Sequence, residues 1–244
     1  MTASQTPMDK LYGMRMSVMA QAYRDQEESQ GVAEMTFDER FAMIVDAEWD
    51  ARRINRRTRL LRQAGFSDPE ANIADVRYDA DRKLDRTKLI ELSNCTWIRG
   101  HRNVVITGAS GAGKSWIACA LGVAACNAFF SVRYVRLPEM LDELNVSKNE
   151  DCLKAKKRYT KCDLLILDDW LLEKLEGKAA RELLEIVEAR LRSGSLLICS
   201  QFSPAGCHSK LGEGAIADAV IDRIVYRSDV IHIEGDESMR KRIG

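Results

Sequence analysis

The sequence predicts an α/β domain with a central parallel sheet covered by helices on both faces, preceded by a small all-helical domain. Three observations carry this. From residue 103 onward short apolar runs alternate with helical stretches, the pattern of a three-layer fold with a parallel sheet. A glycine-rich motif, Gly108-Ala109-Ser110-Gly111-Ala112-Gly113-Lys114-Ser115, stands between the first apolar run and the helix after it. The first 65 residues hold no β-rich run and a single proline, Pro7.

In the N-terminal part, Leu11, Met14, Arg15, Val18, Met19 and Ala22 are spaced for one helical face. Thr36-Phe37-Asp38-Glu39 has capping-box spacing, and the helix it opens carries Phe41, Ile44, Ala47, Ala51, Ile54, Thr58 and Leu61 on one side. The same helix bears Arg52, Arg53, Arg56, Arg57 and Arg59 with no acid inside the run. Such a ridge suits a phosphate backbone; it equally describes a solvated helix end whose charge is offset by Asp46, Glu48 and Asp50 upstream. Gly65 to Pro69 signals a stop, which bounds a helical domain at 1–66. Residues 67–102 then read as a polar linker with a short helix at 87–93, and 95–99 lead into the first strand. Trp97 reads as a core residue in preference to a base contact.

The larger domain, 103–244, is expected to have strands at 103–107, 131–136, 163–167, 196–200 and 230–233. Helices are expected near 113–128, 138–146, 150–161, 177–193 and 215–226. The glycines of the motif let backbone N–H groups converge on a phosphate, and the helix N-terminus adds partial positive charge behind them. Residues Gly108, Ala109, Ser110, Gly111, Ala112, Gly113, Lys114, Ser115 and Trp116 thus form the expected nucleotide-binding set. Lys114 would neutralise the β/γ-phosphates and Ser115 would ligate magnesium. The strand at 163–167 runs into Asp168 and Asp169, at the carboxyl end of a parallel strand where ligands gather. Asp168 is the expected partner of the magnesium shell, and Asp169 the group that polarises attacking water. Ser200 or Gln201, ending the next strand, is placed to sense the γ-phosphate. An arginine near that phosphate would stabilise the transition state; Arg223 and the basic terminus Arg240-Lys241-Arg242 are the sources, and spacing does not choose between them.

Composition sets the outer limits. Of 244 residues, 37 are Lys or Arg and 37 Asp or Glu, so net charge is zero and any nucleic-acid surface must come from local clustering. The seven cysteines form no C-x-x-C pair and read as small apolar residues, not as zinc ligands or disulfides. His101, His208 and His232 lack acid-base partners at recognisable spacing and read as structural or surface residues. No signal-like start and no span long enough for a bilayer are seen, so a cytoplasmic protein without a membrane partner is expected.

Taken together, "GASGAGKSWIACALG", "SVRYVRLPEML", "DLLILDDW", "LLICSQ", "ADAVIDRIV" and "GDESMRKR" resemble the IstB-like ATPases. These are AAA+ proteins that assist a bacterial insertion-sequence transposase, and they are similar to the DnaC helicase loaders. The N-terminal "KLYGMRMSVMAQAY" and "TFDERFAMIVDAEWDARRINRRTRLLRQA" extend the likeness to nearly the whole chain. The resemblance implies a P-loop AAA+ domain that binds ATP and Mg2+ and hydrolyses ATP. It makes Asp168 and Asp169 the second nucleotide motif, Ser200-Gln201 the first sensor, Arg223 an arginine finger acting across a subunit interface, and Arg240 the second sensor. It further implies homo-oligomers with ATP at subunit interfaces, assembly on duplex DNA, and an IstA-like transposase as partner. The arginine ridge at 52–59 would then engage DNA. The alternative is a helicase-loader-like adaptor using ATP as a switch. Leu171 follows Trp170 where the family usually carries glycine.

Overall fold

The computed structural model describes residues 6–32, 34–146, 150–175, 177–212, 214–225, 228–235 and 238–243. It divides into two compact units, residues 1–59 and 60–244.

Among its described residues the first unit forms helices joined by short turns, and no strand. The expected single N-terminal face is split between α1 (Pro7–Gly13) and α2 (Ser17–Glu28), because Arg15 turns the chain in a left-handed conformation. The capping box before α3 (Phe37–Ala64) forms as read: Glu39 N–H donates to Thr36 Oγ1, and Thr36 N–H donates to the Glu39 carboxylate. The apolar face of α3 is narrower than its pattern suggested. Ile44 is buried, whereas Phe41 and Ile54 are exposed, Phe41 stacking on Phe37.

The second unit begins earlier than the sequence suggested, and the stretch 67–102 is no linker. Leu60 and Ala64 at the end of α3, then Ala71, Val76, Leu89 and Leu92, are buried in its core. So are Cys95, Trp97 and Ile98, with Trp97 Nε1 donating to Leu92 O. The polar residues that made this stretch look like a connection are solvent-facing members of short turns and of α4 (Arg86–Ser93). Residues 95–99, expected to lead into the first strand, do so through one helical turn, α5 (Thr96–Arg99).

Five strands follow: β1 (Asn103–Gly108), β2 (Val132–Arg136), β3 (Leu164–Trp170), β4 (Ser195–Ser200) and β5 (Ser228–Ile233). All pair in parallel in the order β2-β3-β4-β1-β5. Alternate residues enter two cores, as a sheet with both faces covered requires. On one face Val104, Ile106, Ile166 and Cys199 pack against α6 (Lys114–Asn127) and the 60–98 segment. On the other, Val105, Leu165, Leu167 and Ile198 pack against further helices. These are α7 (Leu137–Val146), α8 (Glu150–Lys161), α9 (Lys178–Arg190), α10 (Pro204–Lys210) and α11 (Ala215–Val225). The seven-residue α10 and the five-residue α12 (Met239–Ile243) were not legible in the sequence, being too short to show a period. No helix among the described residues is long and apolar enough to cross a membrane.

Candidate nucleotide site

β1 ends at Gly108, whose φ of 154° and close approach to β5 exclude a side chain. An added β-carbon would lie 2.6 Å from Ile233 O. The loop then turns to Gly113, and Lys114 opens α6, so the helix N-terminus faces the loop's interior. Lys114 is buried, and its Nζ donates to Gly108 O and Ala109 O, each at 2.8 Å. Burial holds its ammonium pKa below the usual lysine range, against the opposing pull of Cys199, Asp168 and Asp169. A cleft of about 810 Å³ opens beside the loop, lined by Gly111, Gly113, Lys114, Ser115 and Trp116. Its other wall includes Asp75, Val76, Arg77, Arg82 and Met239. The segment that had read as linker therefore builds half of the cleft.

The two carboxylates of β3 occupy a bulge. Leu167 pairs with Ile198 and Trp170 with Ser200, so β3 spends three residue steps where β4 spends two. An extra residue at a strand end re-aims the side chains around it. Asp168 is 5% exposed, on the face that also carries Cys199 and α6. Its Oδ2 accepts from Tyr134 Oη at 2.6 Å and its Oδ1 from Asp169 N–H at 2.9 Å. Burial, and then this carboxylate, push the Tyr134 phenol far above its ordinary pKa, so the hydroxyl stays a donor. Asp169 has φ of 51°, and its Oδ2 accepts from Arg136 Nε at 2.5 Å. Leu171 also lies at positive φ, 54°, with its side chain buried. The position noted for lacking glycine is thus one where glycine would be unstrained, and leucine adds packing in exchange.

Lys114, Ser115 and Asp168 form an oxygen-and-ammonium set suited to a phosphate chain with magnesium. One hydroxyl and one carboxylate, with phosphate oxygens and water completing the shell, are what magnesium takes in such sites. Each Asp168 oxygen accepts one bond from the protein and retains acceptor capacity.

Other expected residues lie elsewhere. Ser200 is buried on the opposite sheet face: its Oγ accepts from Phe202 N–H and touches Cys207 Sγ at 3.7 Å. Strand parity gives the phosphate side to Cys199, so Ser200 is not brought to the loop; Gln201, just past the strand, is exposed. Arg223 shares a small pocket with Asn103 and Leu196, at the amino ends of β1 and β4. A six-residue strand is about 20 Å long, so Arg223 stands roughly that far from its own phosphate loop. It pairs with Glu188 at 2.8 Å and donates to Ala219 O. The side chain of Arg240 falls outside the described residues; its neighbour Met239 donates its N–H to Gly111 O at 2.9 Å. Arg242 pairs with Asp79 and Asp81. Of the three histidines, two have partners that spacing did not reveal. His232 Nδ1 meets Thr107 Oγ1 at 2.9 Å, and His208 Nε2 meets Asp218 Oδ1 at 2.7 Å.

In the helical unit the arginine ridge is exposed but not uniform. Arg52 pairs with Glu48 at 2.6 Å and donates to Arg15 O. Glu48 in turn accepts from Val18 and Met19 N–H, capping α2. Its pKa is lowered by the Arg52 bond first and the Met19 bond second. Arg53 lies over the Trp49 ring. Arg56, Arg57 and Arg59 are exposed farther along α3.

Sequence reasoning missed Tyr134, Arg136 and Arg82. The first two are two residues apart on β2, and only the pairing of β2 with β3 brings them to Asp168 and Asp169.

The chain is similar to known proteins over most of its length. The protein named for ATP binding in insertion sequence IS1162 of Pseudomonas fluorescens is 34% identical over 199 residues, 81% of this chain and 86% of that protein. The insertion-sequence ATP-binding protein y4pL of Sinorhizobium fredii is 34% identical over 235 residues, covering 96% and 95%. The insertion-sequence ATP-binding protein y4uH of the same organism is 43% identical over 146 residues, 59% of this chain and 58% of that protein. Among solved structures, the DnaC helicase loader superposes with a TM-score of 0.57 at 17% identity, over 67% of this chain and 97% of that one. AMPPCP-bound DnaA from Aquifex aeolicus gives 0.58 at 19%, over 72% and 53%. These likenesses establish the fold, a P-loop AAA+ sheet with its helices. The model of the IstB-like ATP binding protein family matches residues 9–243, and the chain belongs to that family.

Proposed function

We propose that this ATP-binding protein hydrolyses ATP as a helper of insertion-sequence transposition, assembling on duplex DNA and delivering or activating a transposase. The observation that carries the reading is the convergence of Lys114 with Asp168 and Asp169 across the carboxyl ends of β1 and β3. The triphosphate would lie along the loop, with Lys114 leaving the Gly108 and Ala109 carbonyls for phosphate oxygens. Magnesium, held by Ser115 and Asp168, would supply charge neutralisation. Asp169, once released from Arg136, would accept a hydrogen bond from the attacking water. Arg223 lies far from its own loop, which supports a site shared between two copies, with Arg223 of one copy facing the nucleotide of the next. The exposed arginine ridge of α3, Arg52, Arg53, Arg56, Arg57 and Arg59, is the DNA contact we favour. Arg240 is carried as the second sensor and Gln201 as the first; the buried engagement of Ser200 speaks against a direct phosphate contact.

A second reading, a loader-like adaptor that uses ATP as a switch with little turnover, is supported by the ion pair that engages Asp169. Hydrolysis by the purified protein, measured with and without duplex DNA across a salt series, separates the two. The first reading expects DNA stimulation that weakens steeply with salt; slow turnover that DNA leaves unchanged favours the second. Absence of ATP binding, with Lys114→Ala indistinguishable from the parent, defeats both.

A further inference from the structure

The segment before β1 sets a second cation against the phosphate loop. Arg82 is 4% exposed and lines the cleft. Its Nη2 donates to Ala112 O at 2.9 Å, and its Nη1 donates to Arg77 O. A β-carbon on Gly113 would lie 3.2 Å from Nη2, so the guanidinium rests against the last glycine of the loop, at the N-terminus of α6.

Three positive groups therefore border the loop and its cleft: the Arg82 guanidinium and the partial charge of the helix terminus at Gly113, and the Lys114 ammonium at the Gly108 and Ala109 carbonyls. Two carbonyls satisfy N–H groups of Arg82 without neutralising it. Among the described residues no carboxylate lies within ion-pair distance of it. Asp79 and Asp81 attract it from its own turn, but both pair with Arg242, which repels it. Asp68 and Asp75 line the cleft, as does Arg77. A buried guanidinium beside like charge is costly unless an anion joins it. Its depressed pKa, caused first by burial, has the same origin.

We propose that Arg82 is a polyphosphate ligand of the nucleotide site, supplied in cis by the segment before the first strand. The inference rests on the ATP reading and deepens it. With Lys114 it gives the cleft two buried cations bonded to different parts of the loop, which successive phosphates of one chain would engage together. Nucleoside di- and triphosphates are thereby favoured over monophosphates.

The test is competition of inorganic tripolyphosphate against a fluorescent ATP analogue on the full-length protein, at several salt concentrations. The parent, Arg82→Gln, Arg82→Lys and Lys114→Ala are compared, each first melted without ligand. A phosphate ligand predicts that Arg82→Gln weakens tripolyphosphate about tenfold or more and flattens the salt dependence by about one counterion, whereas Arg82→Lys keeps the slope. A brace that only shapes the loop would change affinity and leave the slope intact; that result, or parental affinity in Arg82→Gln, overturns the proposal. If Arg82→Gln melts below the assay temperature, Arg82→Lys decides. Loss of the planar fork should weaken tripolyphosphate about threefold or more, and unchanged affinity overturns the idea. Failure of the parent to bind at all, with Lys114→Ala no different, would instead remove the ATP reading beneath it.

Discussion

Arg136, the last residue of β2, holds Asp169 of β3 with its Nε 2.5 Å from the carboxylate Oδ2. The pair ties the second of the two acids to a neighbouring strand while the first is tied to Tyr134. Each acid thus has its own restraint, one exposed and one buried.

Releasing the exposed restraint should speed hydrolysis. The Arg136 side chain is 52% exposed, so the pair contributes no more than about 1 kcal/mol, or about fivefold in rate. Arg136→Ala is expected to raise basal phosphate release about three- to fivefold and to shrink any stimulation by DNA. An unchanged basal rate would show that the pair does not restrain Asp169.

Removing the buried one should have the opposite effect. Tyr134→Phe leaves a carboxylate oxygen of Asp168 without its donor, and a hydrogen bond to a charged group is worth about 1.5–3 kcal/mol. The variant is expected to lose about tenfold in hydrolysis and about 1–2 kcal/mol in urea stability. Its pH profile up to about pH 10 should match the parent, because the phenol stays protonated. A wild-type rate would exclude a positioning role for Tyr134.

Arg223→Ala should bind ATP normally and lose at least about a hundredfold in hydrolysis, as expected for a transition-state arginine. Mixed with Lys114→Ala, it should regain activity. An Arg223→Ala copy supplies an intact loop, and its Lys114→Ala neighbour supplies an intact arginine. No recovery on mixing, with both variants folded, counts against a shared site.

Alkaline pH should destabilise the fold. Burial raises the Cys95 thiol to about 11 and the Cys126 thiol to about 12, and Cys119, Cys162 and Cys207 move the same way. Above pH 9 the unfolded chain releases thiol protons that the folded chain retains. The folded state then binds more protons, and stability falls as pH rises from about 9 to about 11. Urea midpoints at pH 7.5, 9 and 10 should decline in that order. A flat series would mean these thiols are less buried than the fold places them.

Much of this was legible beforehand because it is local. The phosphate loop needs eight consecutive residues between a strand and a helix, and the five strands announced themselves as short apolar runs within a few residues of their observed ends. The capping box at Thr36 and Glu39 is likewise an interaction over three residues. Ser200 was misplaced because a hydroxyl at a strand end looks the same on either face, and pairing with β1 and β3 is what assigns the face. Residues 67–102 looked like a linker because their polar surface dominates the pattern, although scattered apolar side chains carry them into the core.

Spacing along the chain was enough for the loop, its lysine, the two acids and the alternation of elements, since each depends on neighbours within a few residues. Strand order was not, and with it came Tyr134 on Asp168, Arg136 on Asp169 and Arg82 on Ala112, pairs separated by 30 to 34 positions. Contacts of that range arise when buried sheet faces and turns choose their partners, a choice that short-range periodicity does not encode.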